Sequence, residues 1–259
     1  MRAINSVFKK LKIGILEAGL LNQKVADRFE PYPLMFASFL GKAKRDLSFQ
    51  AFSVVQAEMP ASIHDCDGWL ITGSRHGVYE NLEWMLRLQA FICELAAERV
   101  PLVGICFGHQ IIAQALGGEV VKSDKGWGVG LQYYHIDRRQ SWMREVVPQI
   151  GIYTFHQDQV VRCPASASVF LSSAFCPYAG LNYGASIISV QAHPEFEAAY
   201  ELAILDVYEG NPVPRSLTVS AREFINSGNR ADSQLLAHWL AEFFLLPRST
   251  TTGVAANSN

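Results

Sequence analysis

The sequence predicts an α/β fold: a mostly parallel central sheet flanked by helices, with a small β-rich insertion. Three observations carry that expectation. In the first half of the chain, short continuous apolar runs alternate with segments of helical spacing, the pattern of strands buried on both faces beneath helices. The apolar runs end at glycines or polar turns, where strands stop. Past Glu119 the character changes to alternating β runs, and helical spacing returns only towards the end.

The elements follow in chain order. Residues 12–17 (KIGILE) read as the first strand and residues 49–55 as the second. Residues 69–72 (WLIT) are a short apolar run ending at Gly73, as expected of a strand covered on both faces. Leu82, Met85, Leu86, Gln89, Ile92, Leu95 and Ala96 then share one face at helical spacing, which predicts a helix with that face in the core. Pro101 opens the next strand, 102–105, where a missing amide donor is tolerated. After Cys106 the period changes abruptly. Ile111, Ile112, Ala115 and Leu116 recur as a helix, stopped by Gly117-Gly118. Strands are expected at 130–136, 168–172 and 185–190, and helices at 198–208 and 235–244, the latter with Leu235, Leu236, Trp239, Leu240 and Phe243 as its apolar stripe. One domain over residues 1–246 is the simplest reading, with 247–259 a disordered tail that has little to bury.

Composition narrows the function classes. Lys+Arg at 22 against Asp+Glu at 24 leaves a net charge of -2, without the basic excess of a nucleic-acid or membrane-surface protein. No apolar run approaches a membrane span, and the IGIL stretch near the start is too short for a secretory core and is interrupted by Glu17. The expected location is cytoplasmic. The five cysteines are odd in number and form no CxxC, which argues against a zinc ribbon or redox dithiol and for thiols in a reducing compartment. No metal site and no cofactor are expected.

Gly104-Ile105-Cys106-Phe107-Gly108 sets a cysteine between a buried strand and a helix, with glycine on both sides. A nucleophile in a strand-to-helix turn needs that frame, because the turn is tight and the helix approaches the strand closely. The helix N-terminus favours thiolate over thiol and offers free amides to a developing oxyanion. Taken alone, the cysteine would read as a buried structural thiol; the double glycine frame and the strand–helix context favour the nucleophile.

GICFGHQ, with the helix and Gly-Gly that follow, resembles the nucleophile segment of the class I glutamine amidotransferases. Gln191-Ala192-His193-Pro194-Glu195-Phe196 resembles that family's His-Pro-Glu motif, in the expected order along the chain. The likeness spans the first strand to Glu195 and implies a flavodoxin-like class I amidotransferase fold. It carries a Cys–His–Glu triad onto Cys106, His193 and Glu195. The chemistry is coherent on its own terms. Cys106 attacks a γ-carboxamide carbon, His193 moves the proton, and Glu195 orients the imidazole. Glu195 also reads as a first-turn residue of the next helix.

The oxyanion needs two backbone amides. Phe107, which follows the nucleophile, is one candidate. The other lies in Thr72-Gly73-Ser74, which resembles the family's Gly-Gly-Pro turn except that Ser74 and Arg75 replace its second Gly and its Pro. Gly73 and Ser74 are the candidates there, and an ordinary glycine turn is the alternative. His156 and Asp158 resemble the family's His-x-Asp stretch, where a carboxylate can hold a substrate ammonium; a polar turn is the alternative. Gln110, one turn into the elbow helix, can offer its amide to the substrate. The loop Lys125-Gly126-Trp127-Gly128 falls where a substrate loop is expected.

No phosphate-binding loop or dinucleotide fingerprint occurs, and no synthetase domain, which receives the ammonia in this family, is expected within these residues. The expected partner is a small molecule, glutamine or a γ-glutamyl compound, and the further partner is a separate synthetase or acceptor subunit. Two alternatives stand beside the hydrolase: a catalytically silent or partner-dependent chain that serves as a binding module, and another cysteine hydrolase with a non-glutamyl substrate.

Overall fold

Strands that must be covered on both faces carry apolar side chains at successive positions, and those side chains go alternately to opposite sides. In the computed structural model, which describes residues 10–246 apart from 45 and 146, this alternation organises the layers. The elements in order are β1 (Leu11–Leu16), α1 (Tyr32–Ala43), β2 (Leu47–Phe52), β3 (Gly68–Ile71), α2 (Glu83–Ala97), β4 (Leu102–Ile105) and α3 (Phe107–Ala115). There follow β5 (Glu119–Lys122), β6 (Gly128–Ile136), β7 (Gln149–His156), β8 (Asp158–Arg162), β9 (Ser168–Ser172), β10 (Gly180–Asn182) and β11 (Ile187–Val190). Helices α4 (Ala198–Tyr208), α5 (Arg215–Asn226) and α6 (Ser233–Leu245) complete the described chain.

The central sheet has nine strands in the order β2-β1-β3-β4-β11-β10-β9-β6-β7. From β2 to β11 the pairing is parallel, and from β11 to β7 it is antiparallel. Strands β5 and β8 pair as a separate ribbon. Leu70, Val103, Ile105, Ile188 and Val190 pack with Phe36 and Phe39 of α1 and Trp239 and Phe243 of α6. Their neighbours Trp69, Ile71, Leu102 and Ile187 pack with Met85 and Leu88 of α2 and Ile111 of α3. A third cluster joins α4 to β6 and β7 through Leu131, Tyr153, Tyr200 and Leu205.

The fold class is the expected one, with differences in detail. The second strand stops at Phe52, and Val54–Gln56 is a 3₁₀ turn. Helix α2 presents Met85, Leu88, Phe91, Ile92 and Leu95 inward, whereas Leu86 is 52% exposed. The buried face is therefore rotated from the expected one, since Leu86 and Leu82 match the spacing but are exposed. The β-rich stretch mostly extends the main sheet, and only β5 and β8 stand apart. Helices α1 and α5 were not read from the sequence. The expected tail lies outside the described residues.

The glycines around Cys106 mark backbone-to-backbone contact. A Cβ on Gly104 would lie 2.5 Å from the Gly108 carbonyl oxygen, and one on Gly108 would lie 2.4 Å from the Ile71 carbonyl oxygen. Helix α3 can sit on β3 and β4 only if both positions lack a side chain. Gly108→Ala should therefore cost ~1–3 kcal/mol of stability, read from urea unfolding. Gly41→Ala in α1, with nothing within 4 Å of the new Cβ, should be neutral or stabilise by up to ~1 kcal/mol. Equal effects at the two positions would contradict the close approach.

Candidate active site

Three neighbouring strands of the parallel half end at one place, the carboxyl edge where open α/β sheets bind ligands. The turn 72–74 follows β3, Cys106 follows β4 and His193 follows β11. Cys106 departs from the strand with φ 52 and ψ −103, a conformation that costs a non-glycine residue ~1–3 kcal/mol. The neighbouring strand and the new helix hold it there. The Cys106 N–H donates to the Val190 carbonyl at 2.9 Å, and its own carbonyl accepts the Gln110 N–H at 3.1 Å. The Gln191 side-chain amide donates to the Cys106 sulfur at 3.6 Å.

His193 is fixed from several sides. Its N–H donates to the Tyr153 carbonyl at 2.8 Å, and its ring stacks on Phe196 at 4.0 Å and 9°. Nδ1 lies 2.7 Å from Glu195 Oε1, with both side chains almost wholly buried. A carboxylate can only accept, so Nδ1 carries the proton and Nε2 is left to face the thiol. Burial works against a charged imidazole, but the Cys106 thiolate, the Glu195 carboxylate and hydrogen bonds to both push His193 well above its ordinary range. The structure thus brings Cys106, His193 and Glu195 together, in surroundings that favour a charged imidazole.

Phe107 is the first residue of α3. Among the described residues, neither its N–H nor that of Gly73 has an acceptor in the protein. Gly73 lies against the imidazole, since a Cβ there would sit 2.7 Å from His193 Cε1. Ser74 lines the same cleft as Cys106 and His193, a hollow of about 810 Å³. The sequence candidates for the oxyanion amides therefore converge on the sulfur and the imidazole.

Gln110, His156 and Asp158 also line this cleft. The Gln110 amide nitrogen already donates to the Asp158 carbonyl at 2.9 Å and to Gln191 Oε1 at 3.0 Å. Both its hydrogens are engaged, and only its oxygen remains to offer. His156 Nδ1 bonds the Asp158 carbonyl at 3.0 Å; burial pushes this imidazole down to about 4, so it is neutral. Asp158 Oδ1 accepts from Tyr79 at 3.3 Å, and burial raises its carboxyl. The polar turn and the cleft-facing carboxylate thus coexist. Of the expected substrate loop, Trp127 lines the cleft, while Lys125 is tied to the Ala174 and Phe175 carbonyls at 2.8 and 3.0 Å.

The model of the family described as glutamine amidotransferase class-I matches residues 44–203, more than half of the chain. The chain belongs to the class I glutamine amidotransferase family. Among similar proteins, gamma-glutamyl peptidase 3 of Arabidopsis thaliana is 27% identical over 206 residues, 76% of this chain and 82% of that protein. A glutamine-hydrolyzing GMP synthase subunit of Sulfolobus acidocaldarius is 32% identical over 150 residues, 58% of this chain and 78% of that protein. A glutamine amidotransferase from Thermotoga maritima shares the fold, with TM-score 0.70 at 20% identity over 91% of this chain and 98% of that one.

In this amidotransferase-family chain, several residues beside the site had escaped sequence reasoning. Gln191, just past the end of β11, stands in the same motif as His193, but nothing in the motif assigned it a partner. Tyr79, far from Asp158 in sequence, gave no signal. Glu201 reads as an ordinary first-turn carboxylate of α4 yet is wholly buried. Its Oε1 accepts the Gly130 N–H at 2.8 Å, and its Oε2 has no partner. Burial pushes the Glu201 carboxyl up to about 8, although the Gly130 bond and the His193 cation oppose the shift; the Glu195 charge adds to it. The folded chain keeps this proton after the unfolded chain, titrating near ~4.3, has lost it. Stability contributed at Glu201 therefore falls as pH rises from ~4.3 through about 8. Glu201→Gln keeps an acceptor for Gly130 and removes the titration. Its Tm relative to the parent should rise between about pH 5 and about pH 8; a constant difference would contradict a neutral buried acid.

Proposed function

We propose that the chain hydrolyses the γ-amide of glutamine or of a γ-glutamyl compound through a γ-glutamyl thioester on Cys106, releasing ammonia or an amine. The observation that carries this reading is the buried Cys106–His193–Glu195 array, with Nδ1 held at 2.7 Å by Glu195 and the imidazole poised by the thiolate. The thiolate attacks the γ-carbonyl carbon, and the Phe107 amide with that of Gly73 or Ser74 receives the oxyanion. His193 Nε2 gives its proton to the departing nitrogen as the C–N bond breaks. Water, deprotonated by the same nitrogen, then resolves the thioester to glutamate. Asp158 holds the substrate α-ammonium, braced by Tyr79, with His156 and Gln110 behind it. No cofactor enters these steps.

A second reading is favoured by the similarity to a protein named as a GMP synthase subunit. There the released ammonia passes to a synthetase subunit, whose docking can gate turnover. A silent binding module comes third.

The purified chain should release ammonia or amine from glutamine or γ-glutamyl peptides without ATP. Cys106→Ala should lower kcat/KM by at least ~10³-fold, and His193→Ala nearly as much; Glu195→Gln should be milder. Asp158→Ala should mainly raise KM. Near-normal turnover in His193→Ala would remove the triad, and an unchanged KM would remove the Asp158 assignment. If the parent matches Cys106→Ala on every substrate, hydrolysis by the chain alone fails and the partner-dependent reading takes its place.

A further inference from the structure

The cleft is larger than its reaction with free glutamine would need. Pockets of ~300–1,000 Å³ hold drug-sized ligands, and this one is about 810 Å³. Its lining falls into two groups joined by separate contacts. Around Asp158 the groups are polar: Tyr79 bonds its carboxylate, Lys122 sits across the β5–β8 ladder, and His76 pairs with Glu80 at 2.8 Å. Around His193 they are aromatic. The imidazole stacks on Phe196, which meets Tyr200 at 4.6 Å, and Tyr200 meets Tyr32 at 6.4 Å. Trp127 meets Phe155 at 5.5 Å, and Phe155 meets Tyr208 at 5.3 Å. All six rings line the same cleft.

The tyrosine hydroxyls of this second group already have partners. The hydroxyls of Tyr32 and Tyr200 bond each other at 3.1 Å, and the Tyr208 hydroxyl accepts from Asn22 at 3.1 Å. Phe196 and Tyr200 are themselves buried, so the ring surface left for a ligand is that of half-buried Tyr32, Trp127, Phe155 and Tyr208, on which aromatic and aliphatic groups pack well. The chemistry fixes which part of a substrate comes here. Nδ1 is committed to Glu195, so the leaving nitrogen must take its proton from Nε2 and depart beside the imidazole. The γ-glutamyl half, with its ammonium, belongs at Asp158.

The geometry points to a leaving-group subsite formed by Tyr32, Trp127, Phe155 and Tyr208 and backed by Phe196 and Tyr200, which selects γ-glutamyl conjugates of bulky apolar or aromatic amines over glutamine. This rests on the hydrolysis proposed above and specifies its substrate class. The reaction balances with water alone: the amide C–N bond breaks, a thioester forms and is hydrolysed, and glutamate and the free amine leave.

The test compares kcat/KM for γ-glutamylphenylalanine, γ-glutamylleucine, γ-glutamylglycine and glutamine. The first two should exceed the last two by at least ~10-fold, the discrimination an apolar pocket supplies. Trp127→Ala and Tyr208→Ala should each reduce the phenylalanine conjugate by several-fold more than the glycine conjugate. Equal rates across the panel, or equal losses in the variants, would overturn the subsite while leaving the hydrolase standing. Calorimetry with Cys106→Ala separates the two claims. If the parent cleaves nothing, tighter binding of the phenylalanine than of the glycine conjugate sustains the subsite and sinks the hydrolase reading. Indistinguishable binding of the two overturns the subsite.

Discussion

Everything at the site depends on how the chain leaves β4. Cys106 adopts a left-handed backbone, φ 52, at the junction of a buried strand and a helix, and a side chain other than glycine holds that conformation only where its surroundings enforce it. Here the enforcement is double. Pairing with β11 anchors the Cys106 N–H on Val190, and the helix begins at once because Gly104 and Gly108 let α3 lie on the strands. The strain turns the sulfur out of the strand line towards the cleft, while the helix places its free first amide beside it. The parallel order β3-β4-β11 then brings Gly73 and His193 from either side.

The second constraint is charge in a buried place. A buried imidazolium and a buried carboxylate are each expensive alone, and removing one leaves the other unpaired. The array is held by the Glu195 bond and the stacking on Phe196. The neighbouring acid, Glu201, is kept neutral by burial and adds no second negative charge below about pH 8. His109 and His156 are likewise held neutral, pushed down to about 3 and about 4 by burial. Around the Cys106–His193–Glu195 array, Glu201, His109 and His156 are thus held uncharged by burial.

Much of this was legible in the sequence because it is local. The glycine frame of Cys106 and the His-Pro-Glu run announce themselves in a few consecutive residues, and β4 and α3 are signalled by an abrupt change of period. The failures have physical causes too. Helix α5 has only Thr218 and Ile225 buried, so its apolar signal is sparse, and α1 begins at Tyr32-Pro33 without a side-chain cap. Leu86 matched the helical spacing but faces outward, since spacing specifies a face only when something lies against it. The rings lining the cleft come from Tyr32, Trp127, β7, Phe196 and α4, and no local pattern could announce that assembly. Nor could it show Glu201, whose burial depends on β6 passing over α4.

The most direct test of the central claim is to catch the acyl-enzyme. The parent chain would be acid-quenched during turnover of a γ-glutamyl substrate, digested, and read by mass spectrometry. The account predicts one added γ-glutamyl group on the peptide that carries Cys106, removable by hydroxylamine as a thioester should be. Turnover that leaves Cys106 unmodified while the group appears on exposed Cys93, or on any other residue, would contradict it.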